Sequence, residues 1–209
     1  SCTPTRATVL TGRTNDRTGA FRVGSYLNKQ EKVISTAFKE AGYKTGHIGK
    51  WHLNRVGTEE ALEHHPLPAD DPHNPGEFGF DYWLSHTTGW DLDPELSRNG
   101  DREQFEGEGS VVIVDEALKF IAREASDNTP VFVVIWYSAP HGPWAASYGY
   151  IAPCLGKVDR TSAPAPGQIV ALDRSIGHQR QRLNDLGIPA HTITGSPRAT
   201  GGSPHHAFR

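Results

Sequence analysis

Hydrophobic positions along the chain switch between helical and strand spacing. Over residues 31–41, Val33 or Ile34, Ala37, Phe38 and Ala41 recur at three- and four-residue intervals as one apolar helical stripe, and Gly42 stands where a C-terminal cap belongs. Lys44 to Trp51 follows as a short strand-like run. Ser110 then caps a second predicted helix, with Val111, Val114, Ala117, Leu118, Ile121 and Ala122 on its apolar face and an end near Ala125. From Pro130 to Ser138 the chain is continuously apolar, β-branched and aromatic, as in strands buried on both faces of a mostly parallel sheet. A third helix is predicted over 168–186, with Ile169, Leu172, Asp173, Ile176, Arg180 and Leu183 at helical spacing. Helix, strand, helix, strand, helix in this order predicts an α/β layered fold.

Between these elements, 54–109 reads as loop-rich around the aromatic patch Phe78 to Trp83, and 144–167 is rich in Ala, Pro, Gly and Ser. Residues 188–209 carry no acidic residue and little large apolar surface, so ordering them is not offset by burial. Composition narrows the picture. The 209 residues are 36% hydrophobic before glycine is added, which excludes wholesale disorder, and a formal charge of −3 gives no basic surplus for nucleic acid or an anionic membrane. No window approaches the ~20 apolar residues of a membrane-spanning helix. The opening residues show no basic-then-apolar leader. Two cysteines cannot make a disulfide framework. With no Met and an opening at Ser1-Cys2, the chain reads as an internal fragment.

The first dozen residues carry the most chemistry. Pro4 suits the first turn of a helix, which places Cys2 at a helix N-terminus, where free N–H groups and the dipole favour anions. Arg6 adds a fixed cation one turn on, and Gly12 ends the helix. By themselves these residues fit a reactive thiol or modification site as well as an inert cysteine that happens to precede a helix.

Cys2-Thr3-Pro4-Thr5-Arg6, followed by Thr11-Gly12-Arg13, resembles the active-site signature of the type I sulfatases. A second sulfatase signature stands in full as Gly42-Tyr43-Lys44-Thr45-Gly46-His47-Ile48-Gly49-Lys50-Trp51-His52. A softer third piece, Pro140-His141-Gly142-Pro143, resembles the family's loop after a core strand, and Ile169 to Gly177 resembles a helix preceding its last metal-binding strand. The resemblance implies an alkaline-phosphatase-like fold with a mostly parallel central sheet flanked by helices, here cut at both ends. It also implies a sulfuric ester hydrolase whose nucleophile is a hydrated formylglycine made from Cys2 by a formylglycine-generating or sulfatase-maturing enzyme. By matched positions, Arg6 holds the hydrate and Lys50 bridges it to a sulfate oxygen. His52 acts as the base of the second step, and His141 binds sulfate or protonates the leaving group. The family's calcium ion would touch Cys2 as formylglycine.

The family's other calcium ligands, two Asp before the Cys and an Asp-Asn pair after the last core strand, have no counterpart here, so the fragment is expected to turn over little. Asp70-Asp71, in a Pro-rich stretch, reads as a solvated loop; His64, His65, His73, His205 and His206 receive no role; and the patch at 78–83 reads as core or substrate wall. The chain divides into a partial catalytic domain, 1–187, and an irregular tail, 188–209, whose composition fits out-of-frame coding. A missing first strand would leave a sheet edge open. The implied substrate is a sulfated small molecule or glycan. Two other readings stay open: a phosphomonoester or phosphonate hydrolase on the same scaffold, and a non-catalytic remnant that binds sulfated glycans. The family is mostly exported, periplasmic or lysosomal, and the compartment of this chain is left open.

Overall fold

The computed structural model describes residues 2–54 and 66–196. Helix α1 (Cys2–Thr11) opens the chain and stops at Gly12, whose φ of +66° a side chain would disfavour. A short helix α2 (Asn15–Thr18) leads to α3 (Ile34–Glu40), and Gly42 with φ +88° turns the chain into strand β1 (Lys44–Lys50). Strands β2 (Tyr82–His86), β3 (Glu95–Arg98) and β4 (Asp101–Gln104) come next, inside the stretch predicted to be loop. Helix α4 (Gly109–Ser126), strand β5 (Val131–Trp136), a short α5 (Tyr148–Ile151) and the long α6 (Pro164–Asp185) complete the order.

These strands form one sheet in the order β4-β3-β2-β1-β5. At its heart β1 runs parallel to both neighbours, with Gly46 opposite Tyr82 on one side and Val133 on the other. β3 and β4 extend the sheet as an antiparallel hairpin beyond β2. The predicted mostly parallel sheet flanked by helices therefore holds, with β2, β1 and β5 parallel and the β3–β4 hairpin the antiparallel exception.

Alternation along the strands makes two cores. Ile48, Leu84 and Leu96 face α4, where Ile113, Val114, Ala117, Leu118, Phe120 and Ile121 meet them. Each of the Val, Leu, Ile and Phe side chains among them contributes about 1.5–3 kcal/mol when fully buried. On the other face Trp51, Phe78, Phe80 and Trp83 pack with Ala7 and Leu10 of α1. The aromatic patch at 78–83 is thus largely core.

Three readings of periodicity need correction. On α4 it is Val112, Ile113 and Phe120 that are buried, while Val111 and Ala122 are partly exposed, because the helix is covered by the sheet and also by α6. On α3, Ala37 and Ile34 are exposed, and burial falls to Val33 and Ser35. Strand β5 is half-exposed along its whole length, since it is the end strand of the sheet rather than an interior one. Helix α6 begins at Pro164, four residues before the predicted start. Of the tail, 192–196 are exposed and irregular, and 197–209 lie outside the described residues, as do His64, His65, His205 and His206. Among the described residues no helix is long and apolar enough to cross a membrane.

Candidate active site

Parallel strands deliver their following loops to one edge of a sheet, and α/β enzymes build sites there. Here β1 delivers Lys50 to His52, β2 delivers His86 to Trp90, and β5 delivers Tyr137 to His141. The N-terminus of α1 is fastened to the same edge. Cys2 is the first helical residue and partly exposed, as its position before Pro4 predicts. The fully buried Thr3 donates its hydroxyl to the His52 carbonyl at 2.9 Å, so the residue beside Cys2 touches the residue that carries a candidate base.

Arg6 ties α1 to two strand ends at once. Nη1 donates to the Lys50 carbonyl at 2.6 Å and Nη2 to the Tyr137 carbonyl at 3.5 Å, while the guanidinium lies 4.6 Å from the centre of the Trp136 ring. Its pKa is drawn down to about 10 by burial, with attraction to Cys2 acting against this. Its terminal nitrogens are engaged with backbone, and its charge remains beside Cys2.

Lys50 is the last residue of β1 and is buried at 3% exposure. Burial pulls the ammonium pKa down, attraction to Cys2 raises it, and repulsion from Arg6 lowers it. Gly89 leaves room beside it: a Cβ there would stand 3.8 Å from Lys50 Nζ and 2.6 Å from Ser138 Oγ. His52 lies past the strand end with φ +54°, so strand periodicity is not what places it. Backbone bonds from Trp51 N to His86 O (2.8 Å) and from His52 N to Thr87 O (2.9 Å) hold it against the loop after β2. Both of its ring nitrogens are buried without a hydrogen-bond partner. Burial first, then the fields of Lys50, Arg6 and His141, drive its pKa to about 3, so the ring is neutral at pH 7.

His141 is exposed, and its Nδ1–H donates to the Gly142 carbonyl at 2.7 Å, which leaves Nε2 free to face a ligand. Cys2, Arg6 and Lys50 therefore lie within electrostatic reach of one another, and Lys50, Arg6 and His141 within reach of His52. Asp71 orders its loop, accepting from His73 N at 2.7 Å and from Asn54 Nδ2 at 2.9 Å.

His47 escaped the sequence reading. It is fully buried, its Nδ1 is 2.7 Å from Ser85 Oγ, and its ring meets Trp51, Phe80 and Trp136 edge-on at 4.9–5.5 Å. A polar residue between the glycines of an otherwise buried strand was the available signal. Through Trp136 it supports the ring on which Arg6 lies.

The sequence profile of the Sulfatase family matches residues 1–178. The chain belongs to the sulfatase family. An ulvan-active sulfatase of Formosa agariphila is 32% identical over 145 residues, covering 68% of this chain and 26% of that protein. An N-acetylglucosamine-6-O-sulfatase of Bacteroides thetaiotaomicron is 27% identical over 195 residues, covering 91% of this chain and 30% of its own length. Among solved structures, Ps i-CgsB in complex with k-i-k-neocarrahexaose superposes with a TM-score of 0.76 at 21% identity, over 88% of this chain and 45% of that one. At that identity the superposition establishes a shared fold. This sulfatase chain thus spans under a third of those two curated relatives and less than half of that solved structure.

Proposed function

We propose that this chain forms the nucleophile-bearing part of a sulfate ester hydrolase that acts through formylglycine derived from Cys2. The observation that carries the reading is His52, a neutral imidazole with two unbonded ring nitrogens, whose backbone carbonyl is bonded by Thr3, the residue that follows Cys2. In the hydrated aldehyde, one hydroxyl attacks sulfur and the ester C–O–S linkage breaks on the sulfur side. The attacking hydroxyl releases its proton to water, and the departing alcohol takes one from the Nε2–H of His141 in its imidazolium form, which then regains a proton from water. His52 then removes the proton of the second hydroxyl, the bond from carbon to the sulfate oxygen breaks, sulfate leaves, and water rehydrates the aldehyde. Lys50 and Arg6 supply positive charge to the sulfate oxygens throughout. A bound sulfo group offsets the fields of these two cations, so His52 gains basicity at the moment it is needed.

A Ca²⁺ ion takes six to eight oxygen ligands. Among the described residues no group of three or more His, Cys, Asp or Glu side chains converges to hold a metal ion. The described residues do not fit the calcium that the resemblance implies, Cys2 as formylglycine being a single contact, and no step above uses it. For the same reason we expect the 209-residue chain by itself to turn over slowly. Relatives named for ulvan, for N-acetylglucosamine and for a bound neocarrahexaose support a sulfated saccharide as substrate class.

Conversion of Cys2 is the primary test, because it needs no turnover. After co-expression with a formylglycine-generating enzyme, the Cys2 peptide should lose about 18 Da as thiol becomes aldehyde. An unmodified thiol overturns the proposal. Converted protein should release sulfate from an aryl sulfate faster than phosphate from the aryl phosphate, and a Cys2→Ala variant should release neither.

A further inference from the structure

His141 sits on a loop, 137–147, that no strand or helix of its own holds in place. Its near limb is bonded through Ser138, whose Oγ accepts the Trp90 N–H at 3.0 Å. Its far limb is gripped by two carboxylates. Asp91 Oδ2 accepts the Ala145 N–H at 2.7 Å, and Glu108 Oε2 accepts the Ser147 N–H at 3.0 Å. Gln168 of α6 donates to the Ala145 carbonyl at 3.1 Å, so residue 145 is held at both of its backbone groups.

The two acids share one base. Gly109 N–H donates to the Asp91 carbonyl at 2.7 Å, and Leu92 forms a β-bridge with Glu108, which locks the segments at the foot of α4 together. Neither carboxylate is paired with a Lys or Arg among the described residues. The charged groups that face them are each other and His141. An amide side chain could accept a single N–H without charge, so two acids, Asp91 partly buried and Glu108 buried, are a costly way to fasten a loop unless the charge is used. The field of Asp91 reaches His141, the one titratable group on that loop that the proposed reaction employs.

We propose that Asp91 and Glu108 are positioning residues that clasp the far limb of this loop and thereby set where His141 stands at the active site. The proposal rests on the reading that His141 serves the sulfate site. Burial raises both carboxylate pKa values: the bonds from Ala145 and Gln168 and the field of His141 act against it at Asp91, and the Ser147 bonds at Glu108, where the field of Asp91 adds to it.

Hydrogen exchange of the full 209-residue chain, read at single amides, tests the clasp. Asp91→Ala should speed exchange at Ala145, and Glu108→Ala at Ser147, by about tenfold, roughly one net hydrogen bond. Amides of Ala117 to Ile121 in α4 should not change. Asp91→Asn, which keeps an oxygen acceptor, should restore most of the protection at Ala145. Unchanged exchange in both alanine variants overturns the clasp.

Sulfate release by converted protein separates the two claims. His141→Ala as active as wild type removes the role of His141 and with it positioning through that residue, while leaving the clasp measured by exchange. If His141→Ala is impaired, adding Asp91→Ala should cost nothing further; an additional loss overturns positioning through His141.

Discussion

Two buried histidines make the folded chain sensitive to acid. His52 is held near pKa 3 and His47 well below its ordinary value, in both cases by burial first and then by nearby cations, Lys50 leading at His52 and Arg6 at His47. In the unfolded chain both titrate near pH 6.5. Below that pH the unfolded state binds up to two protons that the folded state refuses, so stability present above pH 6.5 is lost as pH falls, by up to about 2.7 kcal/mol per pH unit for the pair. Asp91 and Glu108 titrate in the opposite sense, keeping protons that the unfolded chain releases, but only in the carboxylate range. The loss therefore sets in below pH 6.5 and steepens down to pH 5. Urea midpoints across that window should fall, and His52→Gln should roughly halve the slope; a flat wild-type profile would show that these rings are not kept neutral. Residue types at this scale were legible from the sequence, since Cys2, Arg6, Lys50 and His52 stand in two linear motifs. Their partners were not. The carbonyls of Lys50 and Tyr137 that Arg6 bonds belong to different strands, and a backbone acceptor leaves no trace in a motif.

Among the elements, β1 sets the tightest tolerance. Gly49 has φ +111°, and a Cβ on it would lie 2.1 Å from the Trp136 carbonyl oxygen on β5. Gly46, three residues earlier, lacks that constraint: its Cβ would meet the Phe120 ring at 2.9 Å, and a ring edge can shift. Gly49→Ala combines a disfavoured backbone angle with a backbone clash and should cost more than about 3 kcal/mol. Gly46→Ala overpacks a side chain and should cost about 1–2 kcal/mol. Urea denaturation of both variants checks the order, and equal costs would mean that β1 and β5 lie further apart than described. The same strand was readable in advance because the second motif, Gly42 to His52, runs through it. The β3–β4 hairpin was missed because Glu95–Arg98 and Asp101–Gln104 are short and mostly polar, with no alternation to count. Asn99-Gly100 was the overlooked signal. Both residues have positive φ and form the two-residue turn that sets Arg98 opposite Asp101.

For the molecule as a whole, the three parallel strands matter most because they bring three loops to one edge, and β5 closes the row. The sequence reading took this strand as buried on both faces because Val131–Trp136 is apolar throughout. That composition reports the two faces correctly: Val131, Val133 and Ile135 pack towards α4, while Phe132, Val134 and Trp136 pack towards the aromatic core. It says nothing about the strand's edges, and among the described residues only β1 pairs with it. Backbone groups of a strand point alternately to its two sides, so half of the β5 amides should be bonded to β1 and half should face outward. An apolar strand with an unpaired edge is a template for another chain. In dilute solution, amide exchange along Val131–Trp136 should alternate between slow and fast from residue to residue. Raising the protein concentration should slow the fast set selectively if a second copy pairs there, and the amides of β1 should not respond. Uniform slow exchange in the dilute monomer would mean that the outer edge is already covered, and would remove the end-strand position from which the half-exposure of β5 follows.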